Sequence, residues 1–308
     1  MKKRDFISLQ DFNEDEILHL LDLTKKIKKT RSLYSDFLIG KTIGLLFQKP
    51  SNRTRVSFEV GVHQLGGNCL YLGPDEINLG VRESTPDVAK TLSRYLDGIV
   101  ARTFTHQDVI DLAKYSTIPI INGLSDFSHP CQALTDIFSI REKFGKIKGL
   151  TMAYIGDGNN VCHSLMFGCA KTGMHMNIAT PKGYEPPANV EKIAKSYAQK
   201  TGAKISIHND PQKAAKNADV IYADVWVSMG QENESEKRLN DFDGFQINNK
   251  LTKLANKDFI FMHCLPAHRG EEVTADVIDG RHSIVFDQAE NRLHTQKAIL
   301  IYLFKKTK

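Results

Sequence analysis

Apolar runs of strand length recur along this chain, separated by longer stretches in which apolar residues return every three or four positions. The first half offers strands near Ile43 to Phe47, Cys69 to Leu72, Ile99 to Arg102 and Ile118 to Asn122. The second half offers Thr151 to Ile155, Met176 to Thr180, Lys204 to His208, Val220 to Ala223, Phe259 to His263 and Ser283 to Phe286. Strands alternating with helical patterns twice over predict an α/β protein of two doubly wound parallel-sheet domains. Lys143 to Gly149 reads as the linker between them, because it follows a long helical pattern and precedes a new strand. The expected domains are therefore residues 1–145 and 150–289, with Glu290 to Lys306 forming an amphipathic closing segment.

In sheets of this kind ligands gather at the carboxyl ends of the strands. Ser51, Arg102, His129, Gly156, Asp224 and Cys264 all fall at or just beyond such an end. That shared placement predicts two sets of strand-end loops facing one cleft. The richest segment is Ser51-Asn52-Arg53-Thr54-Arg55, where Pro50 closes a strand and a helix begins. Ser51 is a candidate N-cap, and the first-turn N–H groups with the helix dipole favour an anion there. Arg53 adds a forked, charge-assisted grip suited to phosphate oxygens. Val56, Phe58, Val60 and Leu65 are the expected buried side of that helix.

Length and composition narrow the class. A chain of 308 residues can bury two cores, and 41% hydrophobic with 25% charged residues is typical of a globular protein. No apolar run approaches the ~20 residues of a membrane span. The first ten residues show no apolar stretch of signal-peptide length, so the expected location is cytoplasmic. The net charge of +5 raises nucleic acid as a partner, and Lys25, Lys26, Lys28, Lys29 and Arg31 form a basic run. A solvated helix face accounts for it, since Ile17, Leu20, Leu21, Thr24 and Ile27 mark a buried side and no aromatic residues interleave. Cys69, Cys131, Cys162, Cys169 and Cys264 show neither C-x-x-C pairs nor zinc spacing, which predicts free thiols and no metal.

Three further segments join the serine-arginine one: His129-Pro130-Cys131-Gln132, Asp224-Val225-Trp226-Val227-Ser228-Met229-Gly230 and His263-Cys264-Leu265-Pro266. Together, from about Asp5 to about Tyr302 and in order, they resemble the transcarbamylase family, and within it the branch that uses ornithine. The resemblance implies transfer of a carbamoyl group from carbamoyl phosphate to the δ-amine of L-ornithine, giving citrulline and phosphate, as a step of arginine biosynthesis. It implies no cofactor, a closing helix (about 290–308) that returns to the first domain, and a homo-oligomer, a trimer.

The same resemblance assigns roles. Ser51, Asn52, Arg53, Thr54 and Arg102 hold the phosphate, while Thr54, Arg102 and His129 approach the carbonyl oxygen. Gln132 and the Leu265 carbonyl receive the carbamoyl NH2, with Arg292 nearby and Arg55 bracing the loop. Asp224 binds ornithine amines, Ser228 and Met229 complete the grip, Asn160 lies toward the carboxylate, and Cys264 lies against the δ-amine. One departure stands out. Family members commonly carry glutamine before Leu-Gly in the loop that reaches a neighbouring subunit, and this chain has Asn78, one methylene shorter.

The chemistry is consistent with those roles. A departing phosphate and a carbonyl oxygen gaining charge both call for fixed cations and hydrogen-bond donors. The amine, with an ordinary pKa of about 10.4, must arrive neutral. Aspartate as acceptor would need extra cations for its second carboxylate, and putrescine would not require the serine-methionine loop. Two other classes compete. Gly156-Asp157-Gly158 after a strand suggests a dinucleotide enzyme, but the third glycine of that fingerprint falls on Val161 and no acid follows about 20 residues on. A noncatalytic phosphate-metabolite binder would bind without making citrulline.

Overall fold

The computed structural model describes residues 3–305 apart from 78, 229 and 231. The chain folds as two compact units, residues 1–138 with 290–308, and residues 139–289. The first unit carries β1 (Thr42–Phe47), β2 (Asn68–Leu72), β3 (Gly98–Arg102) and β4 (Ile120–Leu124), all parallel, in the order β2-β1-β3-β4. Its helices are α1 (Glu14–Lys29), α2 (Asn52–Gln64), α3 (Pro74–Ile77), α4 (Thr85–Leu92), α5 (His106–Tyr115) and the start of α6 (Pro130–Phe144). The second unit carries β5 (Thr151–Ile155), β6 (His175–Ala179), β7 (Ile205–His208), β8 (Val220–Ala223) and β9 (Ile260–His263), parallel, in the order β7-β6-β5-β8-β9. Its helices are α7 (Asn160–Thr172), α8 (Ala188–Thr201), α9 (Pro211–Ala215), α10 (Ser235–Asp241), α11 (Asn249–Thr252) and α12 (Ala275–Ile278). The chain closes with α13 (Val285–Phe304), whose residues from Glu290 onward group with the first unit.

Near-continuous apolar strands explain why each sheet is covered on both faces. In the first unit Leu46, Ile99, Ala101 and Ile120 pack with Val88, Ala89, Val109 and Leu112 of α4 and α5. In the second, Ala153, Ile155, Ile221 and Phe261 pack with Ala214, Phe242 and Val277. Each such large apolar side chain stabilises its unit by roughly 1.5–3 kcal/mol. The α1 stripe predicted from spacing is the buried one, with Lys25, Lys26 and Lys29 exposed.

Strand order creates a switch point in each sheet. The strands stay parallel, but the order in which they are added across the sheet reverses between β1 and β3 in the first and between β5 and β8 in the second, which opens a crevice beyond their carboxyl ends. Phe47 lies opposite Arg102 at the first, and Ile155 opposite Ala223 at the second.

Two expectations are corrected. Ser283 to Phe286 is not a strand: Ser283 makes an isolated bridge to Phe261, and the chain turns into α13 at Val285, leaving Phe286 71% exposed. On α2 Phe58 is buried, with Leu65 just past its end, but Val56 and Val60 are 51% and 39% exposed. The buried stripe runs instead through Thr54, Phe58, Gly61 and Val62, spaced by four, three and one positions. Gly61 is part of the reason. A Cβ there would lie 3.3 Å from Lys297 and 3.5 Å from Leu293, so this face of α2 meets α13 closely.

Candidate active site

At the first switch point α2 begins with Ser51 in extended geometry, its Oγ accepting from the Thr54 amide at 3.3 Å. The cap expected from sequence is therefore present, and it occupies the Thr54 N–H. Arg53 sits half-buried on the first turn. Arg55 points elsewhere: it stacks 3.8 Å over the Tyr71 ring and pairs with Glu59, a brace for the helix start. Arg102 ends β3, buried, and its backbone oxygen accepts from the Gln48 amide at 2.8 Å. Its Nε is buried with no hydrogen-bond partner among the described residues. Burial, then the nearby Arg292 and Arg53, lowers the Arg102 guanidinium to about 10, which leaves it charged at neutral pH.

His129 stands just ahead of α6, where Pro130 at the first helical position starts the helix. The loop before it is tied down by Asn122, whose Nδ2 donates to the Ile7 and Ser128 carbonyls at 3.0 and 3.3 Å. Burial pushes the His129 imidazole well below its ordinary value, and Arg292, Arg102 and Arg53 add to the effect. His129 is neutral at physiological pH. Gln132, one turn on, joins Thr54 through Arg292: Arg292 Nη1 donates to Gln132 Oε1 at 3.0 Å and Nη2 to Thr54 Oγ1 at 2.7 Å. Three guanidiniums and a neutral imidazole thus collect at one end of one sheet, an arrangement that favours a bound anion.

At the second switch point the central group is an acid. Asp224 follows β8 and is buried. Its Oδ1 accepts from Cys264 Sγ and from the Val225 amide, both at 2.9 Å, and its Oδ2 from Asn159 Nδ2 at 2.8 Å. Asn159 is the N-cap of α7, its Oδ1 accepting from the Val161 and Cys162 amides at 2.9 and 3.2 Å, and this turns its NH2 toward Asp224. Cys264 is held by its neighbours. His263 Nδ1 accepts from the Leu265 amide at 2.8 Å, so its Nε2 carries the hydrogen that faces buried Glu272 at 3.2 Å. Leu265 takes φ +59°, a conformation that costs a side-chain-bearing residue roughly 1–3 kcal/mol and that this anchor maintains.

Gly156-Asp157-Gly158 has a structural explanation. A Cβ on Gly158 would fall 2.3 Å from the Pro186 nitrogen, and Gly158 N donates to the Tyr184 carbonyl at 2.8 Å. Asp157 Oδ2 pairs with buried Arg238 at 2.8 Å, and the same guanidinium donates to the Trp226 carbonyl at 3.0 Å, fastening the loop that carries Asp224. Burial lifts the Asp157 carboxyl above its ordinary value against that pairing. Ser228 lies half-buried on this loop, while Met229 and, in the first unit, Asn78 lie outside the described residues. Asn160 opens α7 beside Asn159, and its carbonyl accepts from Ser164 at 2.9 Å. Among the described residues His268, Glu271 and Glu272 bring potential metal-ligand atoms within 4.8 Å of one another, but Glu272 is already engaged by His263 and the His268 amide.

Two family models account for nearly all of this. The carbamoyl-phosphate-binding domain of aspartate/ornithine carbamoyltransferase matches residues 4–142, and the aspartate/ornithine-binding domain matches residues 148–303. The chain belongs to the aspartate/ornithine carbamoyltransferase family. Among family members it is 54% identical to the ornithine carbamoyltransferase of Thermococcus kodakarensis over 96% of this chain and 95% of that protein. It is likewise 54% identical to that of Pyrococcus horikoshii, over 98% and 96%. The solved ornithine carbamoyltransferase of Pyrococcus furiosus superposes with a TM-score of 0.96 at 53% identity, covering 99% of this chain and 98% of that one.

Within this carbamoyltransferase, sequence reasoning missed Asn159 and the bridging action of Arg292. Asn159 was signalled by the capping rule, since an asparagine between a glycine-rich loop and a helix start is a favoured N-cap. Arg292 lies 238 positions from Thr54. No local pattern joins them.

Proposed function

We propose that this protein is an ornithine carbamoyltransferase, transferring the carbamoyl group of carbamoyl phosphate to the δ-amine of L-ornithine to give L-citrulline and phosphate. Ser51, the Asn52 amide, Arg53 and Arg102 hold the phosphate. Thr54 Oγ, Arg102 and His129 donate to the carbonyl oxygen, and Gln132 Oε1 with the Leu265 carbonyl accepts from the carbamoyl NH2. The neutral amine attacks the carbonyl carbon, the new C–N bond forms, and the bond from that carbon to the bridging oxygen breaks, its electrons leaving on phosphate with the P–O bond intact. Asp224 accepts the proton released by the amine. Preformed guanidiniums favour this path because they meet charge as it develops, with no reorganisation.

The observation that carries the choice of acceptor is Asp224, a buried carboxylate held by Cys264, Asn159 and the Val225 amide. A diamino acid complements it. An aspartate substrate would bring a second carboxylate against it, a repulsion the family's aspartate enzymes must meet with added cations. The relatives from T. kodakarensis and P. horikoshii are named for the same acceptor, and the P. furiosus relative is named as anabolic. We place the reaction in the direction of citrulline and arginine biosynthesis, in the cytoplasm. We also propose a homotrimer in which the loop bearing Asn78 acts in a neighbouring subunit. Among the described residues no helix is long and apolar enough to cross a membrane.

Colorimetric citrulline detection with ornithine, aspartate and putrescine run in parallel tests the reading. Product with ornithine alone is expected, and equal or greater carbamoylation of either rival would overturn it. An active monomer in light scattering would contradict the trimer.

A further inference from the structure

The first unit holds a buried acid that none of the roles above uses. Asp136 lies one turn beyond Gln132 on α6 and is 0% exposed. Its Oδ1 accepts from Gln132 Nε2 at 2.8 Å, and Gln132 Oε1 accepts from Arg292 Nη1 at 3.0 Å. Arg292 Nη2 in turn donates to Thr54 Oγ1 at 2.7 Å. Gln132, Arg292 and Thr54 are all buried as well.

The direction of every bond in this chain follows from chemistry. A carboxylate only accepts, so the Gln132 NH2 faces Asp136 and its carbonyl faces the other way. A guanidinium only donates, so that carbonyl receives one arm of Arg292. The second arm fills a lone pair of Thr54 Oγ1, and the Thr54 hydroxyl hydrogen must then point away from Arg292. Removing the acid would let the Gln132 amide rotate, setting NH2 against guanidinium and loosening the fork that orients Thr54. In a buried network such a half-satisfied state is disfavoured and the groups rearrange.

We propose that Asp136 is a positioning residue for carbamoyl recognition, acting through Gln132 and Arg292 to set which way the Thr54 hydroxyl donates. The inference rests on the reading above, in which Thr54 and Gln132 serve the carbamoyl end of the substrate while Ser51, Arg53 and Arg102 serve the phosphate. It predicts a separation that general loosening of the fold would not produce. The carbamoyl end loses its orientation, and the phosphate end keeps its grip.

The test compares Asp136→Val, Asp136→Asn and Gln132→Met with the parent enzyme, reading kcat/KM for carbamoyl phosphate at saturating ornithine and competitive inhibition by inorganic phosphate. Asp136→Val is expected to lose about tenfold or more in kcat/KM, the scale of a bond to a charged group, with phosphate inhibition within about twofold. Asp136→Asn keeps an acceptor of the same shape and is expected within about threefold of the parent. Parental kinetics in Asp136→Val, or phosphate weakened in step with carbamoyl phosphate, would overturn the role. If Asp136→Val does not fold, Asp136→Ala decides the matter by the same two readings, since it leaves the direct carbamoyl contact of Gln132 in place. Gln132→Met, which removes that contact, should fall at least as far in kcat/KM as the loss of the acid. A parent that makes no citrulline would overturn the functional reading itself, a result distinct from an active parent with an indifferent Asp136 variant.

Discussion

The two switch points share a topology and differ in electrostatics. In the first unit the ends of β1 and β3 gather Arg53, Arg102 and Arg292 around a histidine that burial keeps neutral, and buried Arg102 Nε has no partner among the described residues. In the second, the end of β8 presents one carboxylate whose oxygens accept from three groups of the same unit. The first site is held in mutual repulsion that an anion relieves. The second is satisfied before any ligand arrives. A site for a doubly charged leaving group gains from stored like-charge repulsion, since ligand binding then releases it. A site that must orient one amine gains instead from a fixed acceptor, because misplacement of the nucleophile is costly.

That contrast can be broken at either end. The largest effect is expected in the second unit: Asp224→Asn should lower kcat by about a thousandfold, the range of a lost proton acceptor, as read by citrulline formation. Next, Arg102→Met should lower kcat/KM for carbamoyl phosphate by roughly a hundredfold. The same variant should raise stability to denaturant by about 1 kcal/mol or more, because it removes a buried charge repelled by two others. Loss of stability in Arg102→Met would refute the repulsion. Asn159→Ala removes both a helix cap and a donor to Asp224. Its expected cost is about 1 kcal/mol of stability and a rise of about tenfold in KM for ornithine, with carbamoyl phosphate KM unchanged.

Lowering the pH probes the first site from another side. The unfolded chain takes up a proton at His129 near the ordinary value of 6.5, whereas the folded protein, with that imidazole pushed well below it, does not. Stability therefore falls as pH drops below about 6.5, and His129→Gln should flatten that slope by up to about 1.4 kcal/mol per pH unit. His106 and His294 are also pushed down by burial and remain in the variant, so a residual slope is expected. An unchanged slope in denaturant unfolding between about pH 5 and 6.5 would show that His129 is not held neutral.

Local signals carried much of the architecture. Ser51 as a cap, the α1 stripe and the parallel strands of the two sheets all depend on residues within one turn or one strand of each other. The misses have a common cause in packing between distant segments. Val56 and Val60 are apolar, yet close approach of Gly61 to α13 rotates α2 so that they face outward. Ser283 to Phe286 has the composition of a strand, but only one bridge to Phe261 forms before α13 begins. In the site, the individual residues stood out from their motifs. Their connections did not: Arg292 reaching Thr54 and Gln132, and Arg238 joining Asp157 to the Trp226 carbonyl, are contacts across long stretches of sequence.

Division of labour between the two units is tested most directly by calorimetric titration of carbamoyl phosphate into the parent protein, Arg53→Ala and Asp224→Asn. Affinity should fall by about tenfold or more in Arg53→Ala, which loses a charge-assisted grip, and should match the parent in Asp224→Asn. Equal weakening in both variants, or parental affinity in Arg53→Ala, would contradict the account.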